Sequence, residues 1–184
     1  GGVDAARRVQ EGEAFDVVIL SAEAIDKLIA AGRVLPGSRV DLVRSGVAVA
    51  VRAGAPRPDL STEAAVKAAV SAARTVGYST GPSGVALARL FERWGLAESL
   101  KDRTVIATPS VPVGALVARS EIELGFQQLS ELIHVPGIDL LGALPETIQI
   151  TTTFSAGICT ACPQPDAVRA MLAYLASPAA SPAK

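Results

Sequence analysis

The segment Tyr78-Ser79-Thr80-Gly81-Pro82-Ser83-Gly84 gathers residue types that can hold an anion without any charge of their own. Small residues let the backbone bend close to a ligand, and the hydroxyls of Ser79, Thr80 and Ser83 supply donors. The free N–H groups in the first turn of a following helix point the same way. That helix is legible in the pattern: Leu87, Leu90, Phe91 and Trp94 stand at i, i+3, i+4 and i+7, with Arg89, Glu92 and Arg93 on the opposite face. The string also has a plain reading, because Gly, Pro and Ser before a helix are ordinary turn and capping chemistry.

Two other features carry residue types that could do chemistry. Cys159-Thr160-Ala161-Cys162 has redox spacing, but a thioredoxin-like motif opens a helix early in a βαβ unit, whereas this one follows the final strand. Two free thiols or a local disulfide are the readings left, since a zinc site needs a second pair. His134 has no second His or carboxylate at ligand spacing, so no metal role is assigned.

Elements must carry these residues. Of the 184 residues, 49% are hydrophobic, ample for a core. Seventeen basic and eighteen acidic side chains leave a net charge of −1, which removes the electrostatic footprint of a nucleic-acid binder. Apolar runs such as Val47 to Val51 fall far short of the roughly 20 residues that span a bilayer. The chain opens on Gly1-Gly2-Val3 and enters a helical pattern at once, as a domain interior does.

Strand and helix patterns then alternate with short connections. The spacing predicts helices over Val3 to Gln10, Ala22 to Ala31, Ala64 to Ala73, Pro112 to Arg119 and around Val168 to Leu175. It predicts strands over Phe15 to Leu20, Val76 to Tyr78, Thr104 to Ala107, Ile122 to Phe126, Ile138 to Leu141 and, in period two, Ile148 to Phe154. Val40 to Val51 is a long β-branched segment broken by Arg44-Ser45-Gly46. Such alternation argues for an α/β fold of mainly parallel sheets flanked by helices, with ligand-competent loops at the strands' carboxyl ends. Ser21, Ser79 to Gly84, Ser110 to Val113 and Gln127 to Ser130 are loops of that class. The two extended segments near Val40 to Arg52 and Glu146 to Phe154 are expected to cross between two lobes as a hinge.

The order Phe15-Asp16-Val17-Val18-Ile19-Leu20-Ser21-Ala22, then Ser45-Gly46-Val47-Ala48-Val49-Ala50-Val51, then the Gly81 to Gly84 turn, resembles the periplasmic molybdate-binding proteins of ABC transporters. Arg93-Trp94-Gly95-Leu96, Val113-Gly114-Ala115-Leu116-Val117 and Glu123-Leu124-Gly125-Phe126-Gln127-Gln128 carry the resemblance over nearly the whole chain. It implies a two-lobed, type 2 periplasmic-binding-protein fold. Residues 1–43 and 151–184 would form a first lobe lacking its N-terminal strand, and residues 44–150 a second.

The resemblance also implies a site of neutral donors. Gly1 would stand at the helix start of the first lobe, and Ser79, Thr80, Ser83, Gly84 and Val113 would contribute hydroxyls and amides from the second. Where the family often has Tyr, this chain has Gln128, whose amide suits a carboxylate as readily as a tetrahedral oxyanion. Ser21 is either a ligand hydroxyl or the N-cap of the next helix. Arg44 is either a bidentate partner for a carboxylate or an exposed cation. Three or four donors to an anion give roughly 5 to 12 kcal/mol against association costs of about 4 to 15, so both lobes must contribute.

The expected function is capture of a small anion, a molybdate-like oxyanion or a small carboxylate, for a membrane permease. The resemblance implies an extracytoplasmic location, no cofactor, no metal, no catalytic residue and a monomer. Two alternatives use the same fold: an isomerase of a small carboxylic acid such as aconitate, and the ligand-sensing domain of a transcription regulator. The visible strand-end loops offer Ser, Thr, Pro and Gln rather than a base, which counts against the isomerase.

Overall fold

In a computed structural model, residues 2–108 and 111–183 are described. The chain divides into two compact units, Gly1–Arg44 with Thr152–Lys184, and Ser45–Thr151.

The first unit begins with helix α1 (Gly2–Gln10), strand β1 (Val17–Ser21) and helix α2 (Ala22–Ala30). Ser21 caps α2, its hydroxyl accepting from the Ala24 N–H at 3.4 Å. Val9, Val18, Leu20, Ile25, Leu28 and Val34 form its buried cluster. Strand β2 (Val40–Arg52) starts in this unit and continues into the second. Strand β7 (Thr151–Ile158) returns to it and leads to the closing helix α8 (Pro165–Ala176). Pro165 sits in the first turn of α8, where its missing N–H costs nothing. β1 and β7 pair antiparallel, Val17 opposite Ile158 through Ser21 opposite Phe154. The mainly parallel sheet expected of this lobe is therefore corrected among the described residues: β7 comes back against the direction of β1.

The second unit is built on the order β2, β5, β3, β4, with β6 on the other side of β2. Helix α3 (Glu63–Ala72) is capped by the Thr62 hydroxyl, which accepts from Ala65 N–H at 3.1 Å. It leads to β3 (Val76–Ser79) and the long helix α4 (Pro82–Arg93). The short helix α5 (Ala97–Leu100) precedes β4 (Thr104–Ala107), and α6 (Val113–Ala118) precedes β5 (Leu124–Gln128). Helix α7 (Leu129–Leu132) then leads to β6 (Ile138–Ala143). β3 runs parallel to both β4 and β5, while β2 runs antiparallel to β5 and β6.

Side chains alternate across this sheet, so each strand feeds two cores. Val47, Val49, Leu124 and Phe126 pack with Val66, Val70, Leu87, Leu90 and Phe91. Phe91 and Phe126 meet edge to face, ring centroids 5.8 Å apart. Each such side chain contributes about 1.5–3 kcal/mol on burial. Ala107, Val113, Leu116, Val117 and Ile122 form a second cluster. A β-carbon on Gly125 would come within 2.4 Å of Val117 Cγ2 and 3.0 Å of Val113 Cγ1, so glycine there lets α6 lie flush on β5.

Two strand boundaries differ from the pattern. The strand expected over Ile122 to Phe126 lies at Leu124–Gln128. Ile122 N–H turns back to the Leu116 carbonyl at the end of α6, and Glu123 N–H donates to Thr75 Oγ1, so neither is available to the ladder. The segment from Ile148 begins as a 3-10 turn, Glu146–Ile148, closed by Ile148 N–H on the Pro145 carbonyl. The strand there starts only at Thr151 and runs on to Ile158.

Candidate functional site

The turn from β3 into α4 is shaped by main-chain contacts. Ser79 is half-buried and Thr80 exposed, and Gly81 stands at the N-cap in an extended conformation with no side-chain cap hydrogen bond. Pro82 occupies the first turn and has no N–H to give. Ser83 is 4% exposed, and Gly84 is buried behind it. A β-carbon on Gly84 would lie 1.6 Å from the Ser79 carbonyl oxygen, so only glycine lets the helix start close onto the strand end. Helix geometry leaves the first-turn amides of Ser83 and Gly84 without intrahelical acceptors, and the positive end of the α4 dipole lies there. Burial pushes the neighbouring Tyr78 phenol up, so it stays neutral.

The ladder places other polar residues at the same edge. Ser79 pairs in register with Ala107 of β4, and Ala48 of β2 with Gln127 of β5. Gly77 pairs with Gly125, and Ser79 and Gln127 stand two residues further along these parallel strands. Gln127 and Gln128 are both buried. Gln127 Nε2 donates to Glu131 Oε2, one helical turn on, and its own Oε1 has no donor among the described residues. Glu131 is exposed, yet partial desolvation of its carboxyl raises it above the usual carboxylate range, and the hydrogen bond from Gln127 pulls against that shift. Ser130 N–H reaches Ser45 Oγ at 3.5 Å, with the two hydroxyls 3.3 Å apart. Gln149 Oε1 accepts from Val47 N–H at 3.0 Å and from Ile150 N–H at 2.8 Å, fixing β2 where it enters this edge.

Of the residues singled out in the sequence, Ser79, Thr80, Ser83, Gly84 and Gln128 share the carboxyl edge of the second unit's sheet. Val113 is fully buried at the first position of α6, beyond the end of β4, with Pro112 as an N-cap that makes no side-chain cap bond. Ser21 and Arg44 belong to the first unit, where Ser21 is engaged as the cap of α2 and Arg44 is exposed. Gly1 and Ser110 lie outside the described residues. Sequence reading passed over Glu131, although its i, i+4 spacing from a strand-end glutamine was visible.

Cys159 and Cys162 are both free thiols, joined by a turn in which Cys162 N–H donates to the Cys159 carbonyl at 3.0 Å. Burial pushes both thiols up, opposite to what an activated nucleophile requires. His134 is exposed. Among the described residues, no group of three or more His, Cys, Asp or Glu side chains can hold a metal ion, and no helix is long and apolar enough to cross a membrane.

Comparison with known proteins gives this geometry a context. The chain is 47% identical over 171 residues to an aconitate isomerase of Pseudomonas, a match covering 92% of this chain and 65% of that protein's length. The periplasmic molybdate-binding protein of Azotobacter vinelandii superposes with a TM-score of 0.75 at 22% identity, over 97% of this chain and 79% of that one. A tungstate-binding protein of Desulfovibrio alaskensis superposes with a TM-score of 0.61 at 16% identity, over 97% and 76%. These structures share the mixed α/β type 2 periplasmic-binding-protein fold with this chain. The family model described as bacterial extracellular solute-binding protein matches residues 1–184, and the chain belongs to that family.

Proposed function

We propose that this protein captures a small carboxylate anion outside the cytoplasm and delivers it to the membrane permease of an ABC transporter. The observation that carries the reading is the β3–α4 turn, with Gly81 as an uncapped start, Ser83 and Gly84 buried, and no room for a β-carbon at Gly84. Amides held in that way bind an anion without reorganising and without a titratable group. The ligand residues of this reading are Ser79, Thr80, Ser83, Gly84, Val113 and Gln128 of the second unit, with Ser21 and Arg44 of the first. The amide at Gln128 accommodates either anion, and a carboxylate is favoured over a tetrahedral oxyanion by the 47% identity to a protein named for aconitate. Titration calorimetry of the full-length protein with aconitate, molybdate, tungstate and sulfate tests it. Saturable heat with aconitate alone is expected, and binding confined to molybdate and tungstate overturns the carboxylate assignment.

The same identity favours a second reading, in which the captured acid is isomerised rather than handed on. The chain spans 65% of that relative's length, and the fold it shares serves both purposes. Incubation with aconitate, followed by proton NMR of the acid, separates the two: appearance of the other geometric isomer replaces delivery with turnover.

A further inference from the structure

Isomerisation of an unsaturated acid by proton transfer needs a group that gives up and takes back a proton close to the bound carboxylates, and the β5–α7 turn holds one. We propose that Glu131 is the acid–base residue of this protein, positioned by Gln127 beside the anion seat. The proposal rests on the isomerase reading and names the residue that would carry it.

Three observations support it. The first is placement. Gly77 of β3 and Gly125 of β5 are partners in a parallel ladder whose strands lie about 4.8 Å apart, and Ser79 and Gln127 stand two residues beyond them at the carboxyl ends of those strands. Both therefore stand at one edge of the sheet, and Glu131 is hydrogen-bonded to the second of them. The second is the state of Gln127. It is 4% exposed, it spends Nε2 on Glu131, and its Oε1 lacks a donor among the described residues. A buried acceptor left open in this way costs about 1–3 kcal/mol and fits a ligand hydroxyl or protonated carboxyl. The third is the environment of the carboxylate. Glu131 is exposed to solvent and, among the described residues, has no ion pair, and partial desolvation of its carboxyl holds its proton affinity above the usual carboxylate range.

The step balances without any oxidant or reductant. A Glu131 carboxylate oxygen takes a proton from the CH2 of the acid, which lies next to a carboxylate and to the carbon–carbon double bond. The electron pair of that C–H bond enters the allylic system as the double bond shifts. The Glu131 carboxylic acid, exposed to solvent and exchanging its proton there, then delivers a proton to the former vinyl carbon, and rotation before that delivery sets the geometry of the product. Ser79, Ser83 and Gly84 hold the spectator carboxylate while the charge is spread.

The test uses the full-length protein with cis-aconitate in D2O, following isomer and deuterium by NMR and binding by calorimetry. Wild type is expected to produce the trans isomer with deuterium in its methylene group. Glu131→Gln is expected to lower turnover by at least about 100-fold while leaving the dissociation constant within about threefold. Glu131→Asp is expected to restore an intermediate rate, a rescue that a merely structural role does not give. Turnover by Glu131→Gln within threefold of wild type, or aspartate no better than glutamine, overturns the assignment while the isomerase reading stands. Wild type that binds aconitate and neither isomerises nor exchanges it overturns both and leaves the carrier.

Discussion

The β3–α4 and β5–α7 turns end neighbouring strands of one sheet, yet they use opposite means. The first works through main chain: an uncapped glycine, a proline without N–H and a glycine whose missing β-carbon is replaced by the Ser79 carbonyl. The second works through side chains: a buried glutamine, a serine pair and a carboxylate pushed toward its neutral form. The first can hold charge at any pH a protein survives, because amides do not titrate. The second changes state with pH, which suits transfer of a proton rather than retention of an anion. A binding protein needs only the first kind of turn; the presence of both on one edge is what makes an enzyme conceivable on this fold.

Substitutions that break one turn and spare the other sharpen the contrast. The largest effect is expected at Gly84→Ala, where a methyl group meets a backbone carbonyl that cannot rotate away. Overpacking of this kind costs about 3 kcal/mol, read by urea unfolding, and aconitate binding should disappear with it. A stable, ligand-competent variant would falsify the view that the turn is set by backbone approach. Next, on the proposed reading Ser79→Ala removes one donor hydroxyl while the amides stay, and calorimetry should show aconitate binding about tenfold weaker, or about 1.4 kcal/mol. An unchanged constant would place the ligand elsewhere on the edge.

Thr62→Ala provides the control away from this edge. It deletes the α3 cap and should lower stability by about 1 kcal/mol with no change in ligand affinity. Weaker binding there would show that affinity follows general stability rather than the α4 turn. The smallest effect is the pH dependence of Glu131. Its folded-state pKa lies above the ordinary 4.5, so above that pH the unfolded chain binds fewer protons than the folded one. The stability that the neutral acid contributes is full below 4.5 and is lost as pH rises through the raised value. Glu131→Gln should therefore match wild type in thermal midpoint at pH 4 and exceed it at pH 7. A gap that stays constant across that range contradicts the assignment.

How far the residues alone disclose this depends on the range of the interaction. The α4 stripe of Leu87, Leu90 and Phe91 is a local periodicity, and those side chains are buried. Thr104 to Ala107 forms the strand its pattern suggests. Ile122 looks like strand because it is apolar and β-branched, but its N–H is taken by the end of α6, a competition that composition does not express. The antiparallel run of β1 against β7 depends on partners at opposite ends of the chain, and a strand pattern carries no direction. That Ser79 ends a strand just ahead of a helix was legible. That the ends of β3 and β5 are neighbours was not, because their pairing joins segments remote in sequence.

Gly84 has one more implication. Since a carbonyl fills the volume that any side chain would need, the cradle is the same object whatever surrounds it, and point substitutions can unmake it but cannot resize it. On the proposed reading, discrimination among anions falls to the rim of the turn, where Thr80 is exposed. Divergence of ligand preference among descendants of such a chain should accumulate on that rim, around an invariant hollow.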